Sequence, residues 1–137
     1  MSIWNYFGVV HKAVYKLSDG RMGARMGWID VALVETTGRK TGKKRTIPIA
    51  CYPHKDSIAV SASNSGSDRH PAWYLNMMAN PSVSVRLGKE RFSAHAEVVP
   101  DAERVALWQQ IVDNNKHQGE YLQRTSRKIP LVWLKRV

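Results

Sequence analysis

Thr37-Gly38-Arg39-Lys40-Thr41-Gly42-Lys43-Lys44-Arg45-Thr46-Ile47-Pro48 is the segment whose residue types speak most directly of chemistry. Two glycines bracket a run of cations, with the apolar Val31-Ala32-Leu33-Val34 before it and Ile47-Pro48-Ile49 after it. Such a loop offers backbone N–H groups and fixed positive charge to one compact anion, a phosphate being the best fit. A second cluster follows: Ser61-Ala62-Ser63-Asn64, then His70-Pro71-Ala72-Trp73-Tyr74-Leu75-Asn76. Its small and aromatic side chains suit the flat part of a ligand. Together the two clusters point to a phosphorylated, ring-bearing cofactor.

On residue type alone, the basic loop also reads as a solvated hairpin tip or a contact for nucleic acid. It lacks the G-x-x-x-x-G-K-S/T order of a nucleotide P-loop. No aromatics interleave with its cations as a single-strand-binding groove requires. Other chemistries find less support. His11, His54, His70, His95 and His117 are scattered, with no His-x-x-x-His pair, so no metal site is expected. There is no G-x-S-x-G elbow for a hydrolytic serine, and the carboxylates are few and spread out. Cys51, the only cysteine, sits in an apolar segment and reads as a small core residue. With no protein nucleophile in view, a bound cofactor is expected to carry the reaction.

The totals set bounds. At 137 residues and 43% hydrophobic, the chain reads as one domain able to bury a core without staples. Twenty-one Lys and Arg against 11 Asp and Glu leave a net charge of +10. That balance attracts polyanions and also favours solubility. A lone cysteine excludes an internal disulfide and fits a reducing compartment. No apolar run approaches the roughly 20 residues of a membrane span, and the first residues lack signal-peptide character. A cytoplasmic protein is expected.

These residues must be positioned by elements that the patterning predicts. Ile3, Phe7, Val10, Val14 and Leu17 form one stripe of an amphipathic helix over 1–20. The stripe suits core packing or, alternatively, a membrane surface or a substrate entrance. Strands are predicted over 29–35, 45–52 and 57–61. A short helix opens at Pro71, runs to about Met78, and is closed by Asn80-Pro81. Val83, Val85 and Leu87 alternate onto one strand face. Phe92, Ala94, Ala96 and Val98 do the same after Gly88-Lys89, which predicts a β-hairpin. A helix over 100–114 should turn Val105, Trp108, Ile111 and Val112 inward. A shorter helix over 119–125 and a strand over 129–134 complete the chain. Strands that follow one another directly pair antiparallel. The expected fold is mainly β with helices (α+β), a small antiparallel barrel over 29–137 carrying helices on its outside.

The ordered set Thr37-Gly38-Arg39-Lys40-Thr41-Gly42, Arg45-Thr46-x-Pro48, Ser61-Ala62-Ser63, His70-Pro71-Ala72-Trp73-Tyr74-x-Asn76 and Ala79-Asn80-Pro81 resembles the deazaflavin-dependent nitroreductase family. These are split β-barrel proteins that use coenzyme F420, and the likeness extends from about Val31 to Arg127-Lys128-Ile129-Pro130. The resemblance implies that Arg39, Lys40 and Thr41, helped by Arg45, hold the phosphate and nearby tail. It implies that Thr46, Ile47, Pro48 and Ile49 run alongside the deazaflavin. Ser61, Ala62, Ser63 and Asn64 would form the next wall. Ala72, Trp73, Tyr74 and Asn76 would lie on the short helix beside the cofactor.

The implied reaction is hydride transfer from reduced F420 to an electron-poor small molecule: a quinone, an activated alkene or a nitroaromatic. Tyr121 would donate or orient the proton that follows; ordinary packing is the alternative for this residue, and solvent could supply the proton. Two positions depart from the family pattern, Asn64 where members often carry Lys, and Gln118 near a position where they place an aromatic. The second leaves the acceptor open. Alternatives at this stage are an FMN-binding split barrel, an F420 carrier without turnover, and a basic nucleic-acid module, although no nucleic acid is expected. Split barrels of this kind also imply a homodimer.

Overall fold

The computed structural model describes residues 25–26, 29–114 and 116–137. The helix expected over 1–20 lies outside the described residues. In chain order the strands are β1 (Arg25–Met26), β2 (Ile29–Thr37), β3 (Lys44–His54), β4 (Ser57–Ser61), β5 (Ser82–Leu87), β6 (Glu90–Val98) and β7 (Leu131–Arg136). The helices are α1 (Ala72–Ala79), α2 (Asp101–Asn114) and α3 (Lys116–Arg124), with a single 3-10 turn at Asn64–Gly66.

The sheet order is β1-β2-β3-β4-β7-β6-β5, and β5 returns to pair with β2. Every pairing is antiparallel, so β2 to β7 close into a six-strand barrel with β1 attached to its β2 edge. Closure removes the exposed sheet edges that would otherwise invite pairing with another chain.

Strand alternation decides which side chains fill the barrel. Ala32 and Val34 of β2, Ile49 and Cys51 of β3, Val83 and Val85 of β5, and Ala94 and Ala96 of β6 meet in one buried cluster. Met77 of α1 joins that cluster, which seats α1 against the barrel. A second cluster forms outside, where Leu107, Trp108 and Ile111 of α2 cover Ala59 of β4 and Leu131 and Trp133 of β7. β4 and β7 are thus buried on both faces. That explains why Ile58-Ala59-Val60 and Leu131-Val132-Trp133-Leu134 read as continuous apolar runs, not alternations.

One shared strand face is cut short and one inward assignment fails. Val98 is 48% exposed while Val99 is 3% exposed. The alternation breaks where the chain leaves β6, and the Val99 N–H donates to the Leu131 carbonyl at 2.8 Å. Val105 is 79% exposed, and Leu107 takes the buried place. At about 100° per residue, the stripe through Arg104, Leu107, Trp108 and Ile111 leaves Val105 beyond its edge. The remaining shifts are at ends: α3 begins at Lys116 and β7 at Leu131.

Candidate cofactor site

β3 is much longer than its neighbour β4. It pairs with β2 from Lys44 to Cys51 but with β4 only from Cys51 to His54. Among the described residues, β3 over 45–50 pairs with β2 alone, because β4 reaches it only from Cys51 onward. A strand that outruns its neighbour has backbone N–H and C=O groups that a ligand's polar edge can meet in place of a further strand.

The β2–β3 hairpin tip closes one end of this edge. The Gly38 N–H donates to the Lys43 carbonyl and the Gly42 N–H to the Gly38 carbonyl, both at 2.8 Å. Gly42 has φ +71, a left-handed conformation that side chains resist. A Cβ on Gly38 would lie 2.9 Å from Thr41 Oγ1 and 3.3 Å from the Lys43 carbonyl oxygen. Gly38 is required by close approach and Gly42 is favoured by its backbone conformation. Arg39 is tied down: its backbone N–H and its Nη1 donate to Asn76 Oδ1 of α1 at 3.1 and 2.9 Å. Lys40, Thr41, Lys43, Lys44 and Arg45 stand exposed. Cations fixed on a rigid tip suit a phosphate followed by further carboxylates.

Ser61, Ala62 and Ser63, expected to form the next wall, are all buried. Ser61 Oγ donates to Gln118 Oε1 of α3 at 3.0 Å, a buried bond joining barrel and helix. Asn64 is exposed, with φ +47, and its Nδ2 donates to the Arg69 carbonyl at 3.0 Å. Asparagine tolerates this left-handed conformation better than most residues, which gives Asn64 a local reason. Trp73 and Tyr74 of α1 are half-buried and pack with Ile47 against the barrel core. The His70 and Tyr74 rings lie 4.8 Å apart. Ala72 is exposed at the start of α1.

Of the predicted residues, Arg39 and Asn76 are in contact, and Ile47, Trp73 and Tyr74 share one cluster. Ile49 points its side chain into the barrel, so only its backbone faces a ligand. The side chain of Tyr121, on α3, lies outside the described residues. A separate cavity of about 770 Å³ opens on the outer barrel face beside Glu35, Ser84, Arg86 and Arg91. Among its described lining residues it shares only Thr46 with the predicted set.

Arg127 is the residue sequence reasoning missed. Its Nη2 donates to the Ala62 and Ser63 carbonyls at 3.0 and 2.9 Å, and its Nε to the Ser67 carbonyl at 2.8 Å. Its Nη1 lies 3.1 Å from His70 Nδ1. Burial pulls this guanidinium below its ordinary pKa, with the Asp68 carboxylate acting the other way. Nothing in local periodicity marks a contact across some sixty residues; the only signal was its place in the Arg127-Lys128-Ile129-Pro130 segment.

A closed antiparallel barrel in which β3 outruns β4 beside a cationic hairpin places the chain in the split-barrel class. Residues 9–136 match the model of the F420H(2)-dependent quinone reductase family, and the chain belongs to that family. It is 38% identical over 131 residues to an F420H(2)-dependent quinone reductase of Mycobacterium tuberculosis H37Rv, covering 93% of this chain and 88% of the relative. A solved F420-H2 dependent reductase (FDR-A) superposes with TM-score 0.71 at 35% identity, over 77% of this chain and 93% of that one. A second solved structure, a domain-swapped dimer, gives TM-score 0.74 at 31% identity over 98% of this chain and 100% of that one. The protein is accordingly an F420H2-dependent oxidoreductase, and its cofactor is coenzyme F420.

Proposed function

We propose that this reductase delivers reducing equivalents to a quinone, held between the open edge of β3 and α3. The observation that carries this reading is the length of β3 over residues 45–50 that pairs with β2 but extends past β4, together with the cationic tip at its end and the packing of Ile47 with Trp73 and Tyr74. When bound, reduced F420 supplies a hydride from C5 of its deazaflavin ring.

The protein's own residues bind, orient and protect. Arg39, Lys40, Thr41 and Arg45 hold the anionic tail, Arg39 being preset by Asn76. Backbone groups of Thr46, Ile47, Pro48 and Ile49 meet the polar ring edge, and Ser61, Ala62, Ser63 and Asn64 close the far side. Ala72, Trp73 and Tyr74 cover the site from α1, excluding water. Holding donor and acceptor carbons at roughly 3–3.5 Å supplies much of the rate. Tyr121 on α3 donates or orients the proton that follows the hydride. Tyr121→Phe is expected to lower turnover about tenfold or more with little change in F420 affinity; an unchanged rate removes Tyr121 from the reaction.

We extend the proposal to a cytoplasmic protein whose residues 1–20 touch the membrane where a lipid quinone lies, and to a homodimer. Liposome flotation and sedimentation equilibrium of the full chain check these two points. The reaction itself is tested by titrating the protein with F420 and with FMN, then screening quinone, enone and nitroaromatic acceptors. Saturable F420 binding and quinone-dependent oxidation of F420H2 are expected; F420 binding without turnover would leave a carrier.

A further inference from the structure

We infer that Arg127 is a positioning residue that sets the far wall of the F420 site and the approach to α1. The inference rests on the proposed placement of F420 against Ser61–Asn64 and Trp73–Tyr74.

A guanidinium has five N–H donors in a planar fork and no acceptor. Four of Arg127's donors are committed within one segment: to Ala62 O, Ser63 O, Ser67 O and His70 Nδ1. Since Arg only donates, His70 Nδ1 is the acceptor, which places the His70 N–H on Nε2. Two of the four contacts fall on the carbonyls of the predicted ring wall, Ala62 and Ser63. The fourth reaches His70, whose ring packs on Tyr74 of α1. One side chain therefore couples the wall to the aromatic face on the other side of the ring.

The segment carrying Arg127 is itself fixed. Thr125 Oγ1 donates to Asp68 Oδ1 at 2.6 Å and accepts from the Arg127 N–H at 3.2 Å. The Ala62 N–H donates to the Pro130 carbonyl at 3.0 Å. Residues 62–70 are thus fastened to 125–130 from both sides. Ser67, Asp68 and Arg69 are exposed. The other bonds in the middle of this stretch are local, such as Asn64 Nδ2 to the Arg69 carbonyl at 3.0 Å and the Ser67 N–H to the Asn64 carbonyl at 3.1 Å. Arg127 and Thr125 therefore supply its ties to the rest of the fold. An ammonium group cannot replace the planar fork, because its donors do not spread across three carbonyls.

The experiment compares wild type, Arg127→Lys and Arg127→Ala by F420 titration, by thermal melting, and by hydrogen exchange over 62–74. Both variants are expected to bind F420 at least about tenfold more weakly. Millimolar guanidinium should restore affinity to Arg127→Ala, whereas methylammonium should not. Exchange over 62–70 should rise in Arg127→Lys even without cofactor, and this variant carries the test if Arg127→Ala fails to fold. Wild-type affinity in either variant overturns the inference. So does weakened binding that guanidinium leaves unchanged. Failure of the wild type to bind F420 would sink the functional reading, whereas unaltered exchange over 62–70 in Arg127→Lys would sink the clamp alone.

Discussion

Cys51 shows how position overrides chemical type at the scale of one residue. Burial in the barrel, with a smaller contribution from the nearby Asp30 carboxylate, pushes its thiol pKa up to about 12. At neutral pH the group is a protonated thiol without nucleophilic character. A thiol reagent at mildly alkaline pH should therefore leave the native protein unlabelled and label it fully after unfolding; rapid native labelling would contradict this burial. Asp101 works in the opposite direction. Its hydrogen bond to Lys128 Nζ at 2.6 Å, with the attraction of that ammonium, holds its carboxyl below the ordinary 3.8. The unfolded carboxyl then takes up a proton before the folded one does. The pair's contribution is complete above the ordinary value and disappears as pH falls through the lowered folded value. Both side chains are exposed, so the effect is small and screened. Asp101→Asn should lower Tm slightly at neutral pH and low salt, and the difference should vanish in strong acid and in about 1 M salt.

At the scale of elements, the proposed site depends on the length mismatch between β3 and β4. The hairpin tip positions its charges because two glycines make the turn tight. A side chain at Gly38 meets Thr41 Oγ1 and the Lys43 carbonyl, so the turn must open. Gly42 has open space around it, and only its backbone conformation resists substitution. Gly42→Ala is thus expected to cost roughly 1 kcal/mol of stability, with F420 affinity near wild type. Gly38→Ala should lose F420 affinity in addition, since Arg39 and Lys40 move with the turn. Equal affinity in the two variants would show that tip geometry is unimportant. The β5–β6 hairpin was legible from sequence because each strand has one apolar face and Gly88 marks the turn. Val105 was misplaced because helical spacing persists on paper beyond the edge of the buried stripe, and Val98 lies exposed because the β6 face runs past the core. Residue type alone does not record where a partner layer ends.

For the whole molecule, part of the +10 charge is concentrated in the exposed cations between Gly38 and Arg45, where the proposal gives it a use. Those local motifs were readable because a phosphate site needs contiguous glycines and cations. The contacts that assemble the motifs were not. Ser61 with Gln118, Arg39 with Asn76, and Arg127 with the 62–70 segment each join residues far apart in sequence. Only the closed barrel brings them together. The fold class, the cationic tip and the aromatic helix could therefore be read from the chain, whereas the far wall's support needed the structure.

The most direct measurement is fluorescence titration of coenzyme F420 into wild type and into the triple variant Arg39→Glu, Lys40→Glu, Arg45→Glu. Reversing the charges that face the anionic tail should weaken binding by at least about a hundredfold, and wild-type affinity should fall as salt is raised. A triple variant that melts like the wild type and binds F420 just as tightly would contradict the assignment of the hairpin tip.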